Sequence, residues 1–318
     1  MKRLLSVLAL TVAPVAFAAS IDQKDVAASP AILAHLDCDA LRTSAVGQSI
    51  LSQSDVQDKL AAVAALFNFD FRTQLHGLTV YTTDAHPKDG VLIVYADFDP
   101  NRLITLAKAA SGFSSTTNGS HVIYSWLGDK KKSKDSEPPR VFGAISGHRV
   151  IFGQGESQLT EALDVIDGKA PSLSGKNLLP ETDSGESILA EAVVLKFDFD
   201  TADQNAAIFK MSKSVRLKLG EVGSNMAATL RFEAKDSNTA IQISAVAQGL
   251  LAILKLQQSD PNALKLANAI AIKQDGAAVT LTLSTPSSDL IDMIKEGQKK
   301  AAEKAEKADS TNAAAENK

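Results

Sequence analysis

The chain has 318 residues, of which 45% are apolar, 22% charged and 5% aromatic, and its net charge is −4. This composition suits one large or two ordinary globular domains. The mild acidity makes nucleic acid a poor candidate partner, the low aromatic content disfavours a base-stacking or carbohydrate-stacking surface, and the single cysteine, Cys38, excludes an internal disulfide.

The first residues have the pattern of a secretory signal peptide. Lys2 and Arg3 precede an apolar core over residues 4–17, and a small-x-small pattern ends at Ala18. The apolar core is too short to span a bilayer. We therefore predict that residues 1–18 are a signal peptide cleaved near Ala18. The mature chain is then exported, periplasmic or secreted, without a membrane span.

Residues 19–168 are predicted to form an N-terminal α+β half. Strands are predicted at residues 31–36, 75–82, 90–97, 121–127, 141–145 and 149–152, and helices within 40–67, at 99–110 and at 156–166. Asp99 and Pro100 open the second of these helices, because Asp is a favoured N-cap and Pro is favoured at the first helical position. The Gly/Ser/Thr-rich residues 111–120 are predicted to be a loop.

Residues 169–185 are rich in turn formers and are predicted to be a linker to a C-terminal half at residues 186–297. Strands are predicted there at 188–199, 215–219, 226–234, 270–273 and 278–283, and helices at 202–211, from Asp236 to about 258, from Asp260 and at 287–296. The stripe Ile243, Val246, Leu250 and Ile253 predicts an amphipathic core helix. Residues 298–318 are rich in Ala, Lys and Glu, and are predicted to be frayed or disordered.

The two halves share an order of elements, and one segment of each is similar in sequence. Residues 91–110 and 228–247 align without gaps and share four positions, among them Asp99 with Asp236. Hairpins joined by helices favour antiparallel sheets. The predicted fold class is therefore α+β, with two related halves, each an antiparallel sheet with helices packed on one face.

Familiar catalytic motifs are absent from the sequence. It contains no G-x-S-x-G, S-x-x-K, H-E-x-x-H, P-loop, C-x-x-C or EF-hand loop. No catalytic residue and no cofactor is therefore predicted. The densest group of potential metal ligands is His35, Asp37 and Asp39. We favour the alternative that Asp37 or Asp39 caps the next helix and that His35 lies at a sheet surface, since no second group of ligands is at hand to complete a metal site.

Three strand-to-helix segments, residues 31–41, 95–106 and 149–163, carry a resemblance to a known group of proteins. In layout the chain is similar to uncharacterised exported bacterial proteins built from two related α+β halves after a signal peptide. The resemblance covers most of the mature chain. It implies export and the two-half fold, and it implies no activity, cofactor or site residue.

Three functions remain open from the sequence. The first is a non-catalytic exported protein of the periplasm or cell envelope that binds an envelope partner or a small apolar ligand between its two halves, where paired domains tend to leave a crevice. The second is a hydrolase with an unrecognised active site. The third is a structural or assembly factor that acts through flat surfaces.

Overall fold

The computed structural model describes residues 21–85, 90–128, 138–176, 178–179, 185–197, 209–256 and 261–300. The predicted signal peptide, most of the predicted helix at 202–211 and residues 301–318 of the predicted tail lie outside the described residues.

Within the described residues, twelve strands form one antiparallel sheet in the order β11-β12-β10-β9-β8-β1-β2-β3-β7-β6-β5-β4. The strands are β1 Ile32–Asp37, β2 Leu75–Thr82, β3 Gly90–Ala96, β4 Ser114–Asn118, β5 His121–Leu127, β6 Arg140–Ser146, β7 Arg149–Gly153, β8 Glu186–Val194, β9 Ser212–Val222, β10 Asn225–Ala234, β11 Ile270–Asp275 and β12 Ala278–Pro286.

Helices fill the longer connections. They are α1 Cys38–Thr43, α2 Ala45–Leu51, α3 Ser54–Phe67, α4 Phe71–Gln74, α5 Pro100–Ala109, α6 Glu156–Ile166, α7 Ser237–Leu256, α8 Pro261–Ala269 and α9, which is helical over residues 287–300. A short 3-10 helix, Gln23–Asp25, precedes β1. The α+β class predicted from the sequence is confirmed.

The expectation of a separate sheet in each half is wrong, because β1 and β8 pair and join the strands into one sheet. Ile32 is opposite Val194 and Leu36 is opposite Ala190 in this antiparallel pair. Counted outward from it, the strand order is β1-β2-β3-β7-β6-β5-β4 on one side and β8-β9-β10-β12-β11 on the other. Backbone hydrogen bonds therefore occupy the junction at which the sequence suggested a crevice.

The cross-strand register separates the two faces of the sheet. One face, here the α6 face, carries Leu33, Ile93 and Ile151, and Leu159 and Leu163 of α6 pack against it in a fully buried apolar cluster. The neighbouring residues of each strand point the other way. The opposite face, here the α5 face, is covered by α5 near one end of the sheet and by α7 near the other.

Helix α7 packs on the α5 face, opposite α6, so helices cover both faces of the sheet and the prediction of helices on one face is wrong. Ile243 of α7 packs with Val215 and Phe232 in a second buried cluster. Val215 is opposite Val194, which is opposite Ile32, and Ile32 points away from its neighbour Leu33. The two buried clusters thus lie on opposite faces.

Local signals placed most elements correctly. The Asp99 side chain accepts a hydrogen bond from the Asn101 amide at 2.9 Å, and Asp236 accepts one from the Thr239 amide at 2.7 Å, so both predicted caps are present. The predicted loop at 111–120 instead contains β4, whose Ser and Thr side chains show no apolar alternation.

Two other segments differ from their predicted character. Leu173, in the predicted linker, is fully buried in the cluster of the α6 face, and its amide donates to the Val26 carbonyl. In the predicted tail, residues 298–300 continue α9, and the Gln298 side chain donates to the Gln53 side chain at 3.1 Å.

Candidate functional site

The three candidate metal ligands each make structural contacts. His35 is buried, and not at a sheet surface as favoured from the sequence, and its Nδ1 lies 2.8 Å from the Thr79 hydroxyl. Asp37 Oδ1 accepts from the Ala40 amide at 2.8 Å and caps α1, as favoured from the sequence. Asp39 accepts from Arg42 and lies 3.0 Å from His76 Nδ1. Among the described residues, no group of three His, Cys, Asp or Glu side chains is arranged to hold a metal ion.

His76 links two carboxylates at one end of the sheet. Its Nδ1 faces Asp39 and its Nε2 lies 3.1 Å from Asp97, whose other oxygen lies 3.2 Å from His148 Nδ1. Partial burial lowers the pKa of His76, but the hydrogen bonds to Asp97 and Asp39 outweigh it and raise that pKa above its ordinary value. This chain of side-chain contacts connects α1 with β2, the end of β3 and the β6–β7 turn.

A second ionic group is buried where the two halves join. Glu191 of β8 stands opposite His35 on one side and Lys218 on the other. Burial raises the pKa of Glu191 to about 7, and the Lys218 charge opposes that rise. Lys218 Nζ donates to Glu186 at 2.6 Å. Glu191 lines none of the cavities described below, so these contacts support a structural role.

The single thiol is half-buried at the start of α1. Burial raises the pKa of Cys38 to about 11, and the charges of Asp37 and Asp39 add to that rise. The Cys38 thiol is therefore protonated at neutral pH and is a weak nucleophile.

An apolar pocket of about 260 Å³ lies between α5 and the α5 face of β5, β6 and β7. Leu103, Leu106 and Ala107 of α5 form its roof. The other lining residues come from the end of α3, the end of α5 and the three strands: Phe67, Ile104, Ala110, Tyr124, Trp126, Gly143, Ala144, Ile145, Val150 and Phe152. The phenol of Tyr124 and the indole N–H of Trp126 are its two polar side-chain groups, so the pocket suits an apolar molecule.

Two aromatic rings and a glycine shape the floor of this pocket. Trp126 and Phe152 meet edge to face, with their ring centres 6.4 Å apart. Gly143 lies beside both rings: a Cβ there would sit 3.3 Å from Phe152 and 3.4 Å from Trp126. Glycine therefore lets the rings approach the backbone of β6 closely.

The second half of α7 is an apolar surface of a different kind. Leu250, Ile253 and Leu256 are 50%, 57% and 77% exposed, whereas Ile243 is fully buried. The predicted core stripe is therefore correct for Ile243 and wrong for Val246, Leu250 and Ile253. By length and composition α7 is apolar enough to cross a membrane, and 17% of its most apolar window is buried.

Sequence reasoning did not find the pocket, although it predicted the elements that form it. Its walls come from residues up to 85 positions apart, between Phe67 and Phe152, and only the strand register brings them together. One available signal was Trp126, the single tryptophan of the chain, which shares a strand face with Tyr124 two residues before it.

No protein-family model matches the chain, and neither does any curated protein. Among solved structures, it is similar to two crystal forms of TP0453. Form III has a TM-score of 0.48 and 12% identity, over 87% of this chain and 99% of the other. Form I has a TM-score of 0.45 and 11% identity, over 87% and 98%. No functional assignment follows from these values.

Proposed function

We propose that the chain is an exported, non-catalytic protein of the periplasm or cell envelope that binds an apolar ligand in the pocket under α5. The observation that carries the proposal is the pocket itself, which is lined by apolar side chains and partly covered by α5. Export is supported by the basic start and the apolar core of residues 2–18.

The position of the pocket modifies the hypothesis of a ligand between the two halves. All the lining residues lie between Phe67 and Phe152, within the N-terminal half. The halves themselves meet through the β1–β8 pair, which leaves no separation between these strands for a ligand. The binding site that we propose is therefore internal to one half.

Trp126 provides a direct test, because it is the only tryptophan and it lines the pocket. We expect bromooctane to quench its fluorescence in a saturable way, since the bromine atom would lie against the indole. Ala107→Phe fills the space under α5 and should abolish the quenching. Ala109→Phe is the matched control, because Ala109 is exposed on the same helix. Absence of saturable quenching, or equal quenching in the two variants, would refute the proposal.

A second candidate function is attachment to a lipid surface through α7. The observation that favours it is the exposure of large apolar side chains around the projecting half of the helix, residues 245–256. No charged residue occurs from Ser237 to Leu254. A protein groove would cover one side of such a helix, whereas acyl chains can solvate most of its circumference.

Flotation with neutral phosphatidylcholine vesicles tests this second function. We expect the protein to float with the vesicles in low and high salt, because the contact is uncharged. The double variant Leu250→Lys/Ile253→Lys should stay at the bottom of the gradient. Gln248→Lys replaces a side chain of the same helix that is already polar, and this variant should still float. Failure of the native protein to float would exclude lipid attachment.

A further inference from the structure

The apolar pocket continues into a trough on the same face of the sheet. The trough has a volume of about 600 Å³, and its floor includes Ile32, Val80, Leu92 and Val141. Phe152 lines both cavities. On β6, Val141 lies in the trough and Gly143 in the pocket, two residues apart on one face. The two cavities are thus adjacent on two neighbouring strands.

A single cross-strand row runs through both cavities. Its members are direct register partners on six adjacent strands from β1 to β5, in the order Ala34, Val80, Leu92, Phe152, Gly143 and Tyr124. Every member is apolar except for the phenol of Tyr124. At a strand spacing of about 4.8 Å, the row is about 24 Å long. The row is therefore a long, uncharged path perpendicular to the strands. Arg140 also lines the trough, and its side chain donates to the Gly112 carbonyl and the Ser125 hydroxyl.

The two ends of the row differ in cover. At the Tyr124 end, α5 covers part of the pocket. At the other end the side chain of Val80 is 42% exposed, although it belongs to a strand in the interior of the sheet. The pocket alone, at about 260 Å³, is small for a drug-sized ligand, which usually occupies about 300–1,000 Å³. A ligand that fills both cavities is narrow and elongated.

We infer that the ligand is a molecule with one long, unbranched alkyl chain, which lies along this row with its end under α5 and passes Phe152 into the trough. The inference rests on the proposed function and specifies its ligand class. A compact ring fills the pocket and leaves the trough uncovered. An extended chain covers Phe152, Leu92 and Val80 in succession, and each added methylene removes more apolar surface from water.

The test is a series of straight-chain alcohols from octanol to hexadecanol, each used to displace bromooctane from Trp126. We expect affinity to rise about fourfold for each methylene until the row is covered. Val80→Trp obstructs the open end of the row. It should therefore lower the affinity for hexadecanol at least tenfold and leave the affinity for octanol unchanged. Val122→Trp is the control, because Val122 is exposed on the same face outside both cavities.

The outcomes separate this inference from the proposed function. If bromooctane binds and Ala107→Phe abolishes its binding, but affinity is independent of chain length, the pocket is real and the elongated ligand is refuted. Equal hexadecanol affinities of Val80→Trp and Val122→Trp would also refute it. If 1-naphthol displaces bromooctane better than hexadecanol does, the ligand is a compact ring. If bromooctane never quenches Trp126, both proposals are refuted.

Discussion

Helices α5 and α7 begin alike and are covered differently. Each follows the third strand counted outward from the β1–β8 pair, each begins beside a capping Asp, and each lies on the same face of the sheet. Helix α5 ends after ten residues, above β5 and over the pocket. Helix α7 continues for twenty residues, and its second half is exposed.

This difference shows that an apolar stripe reports which side of a helix is apolar and not what covers it. The first half of α7 buries Ala240, Ile243 and Ser244. The stripe then continues to Leu250 and Ile253, which are 50% and 57% exposed. Counted outward from the β1–β8 pair, the first three strands of each half follow chain order, β1-β2-β3 and β8-β9-β10, and the relationship of the halves stays a prediction. Superposition of residues 31–168 on 186–297 tests that relationship.

The largest expected effect separates the two halves of α7. Ile243→Ala should lower the free energy of unfolding by about 2–5 kcal/mol, because it leaves a cavity in a fully buried cluster. Leu250→Ala removes the same kind of side chain from an exposed site. It should change the free energy of unfolding by less than about 0.5 kcal/mol. Urea denaturation measures both values. Similar losses for the two variants would mean that the second half of α7 is covered in solution.

A smaller effect tests whether α5 and α7 begin in the same way. Asp99→Ala and Asp236→Ala each remove a side chain that accepts from an amide of the first turn. Each should cost about 1 kcal/mol. Asp99→Asn and Asp236→Asn keep the acceptor and should recover most of the loss. Thermal unfolding of the four variants is the measurement, and a loss at only one of the two sites would break the correspondence.

Local chemistry explains why these elements could be predicted from the sequence. The residues Asp99 and Pro100 fix the start of α5 wherever the helix packs, and the apolar, β-branched run of β3 is visible in the chain itself. The β1–β8 pair, the row from Ala34 to Tyr124 and the pocket depend on cross-strand register, which no single segment contains. Strand β4 was missed because Ser and Thr side chains on an exposed edge give no hydrophobic signal.

The residues just before the capping Asp of α5 and of α7 also differ in charge, and this difference predicts a pH dependence. Asp97, two residues before the cap of α5, binds His76, whereas Lys235 precedes the cap of α7. The raised pKa of His76 means that the folded state holds its proton more tightly than the unfolded state does. The stabilisation of the folded state by protonated His76 is complete at pH values below the ordinary His pKa, about 6.5. It is lost as the pH rises through the raised pKa of His76.

The variant His76→Gln isolates that contribution. Because His76 is partly exposed, we expect an effect of less than about 1 kcal/mol. The stability of the native protein should fall more between pH 6 and pH 8.5 than that of His76→Gln, by urea denaturation at each pH. Parallel profiles for the native protein and His76→Gln would contradict the assignment.

The smallest expected effect concerns Gly249, in the projecting half of α7. A Cβ at this position would meet no atom within 4 Å, so Gly249→Ala causes no clash. In a helix interior this change usually adds about 0.5–1 kcal/mol to the stability of the helix, because Ala loses less backbone freedom than Gly on folding.

That gain appears in global unfolding only if residues 245–256 unfold together with the sheet. Since this half makes few buried contacts, we expect it to open locally at a lower free energy. Gly249→Ala should therefore leave the urea midpoint unchanged and slow amide hydrogen exchange at Leu250 and Ile253. A rise in the midpoint that matches a gain of about 1 kcal/mol would show that the projecting half of α7 unfolds cooperatively with the sheet, and the contrast with α5 would then concern exposure alone and not local stability.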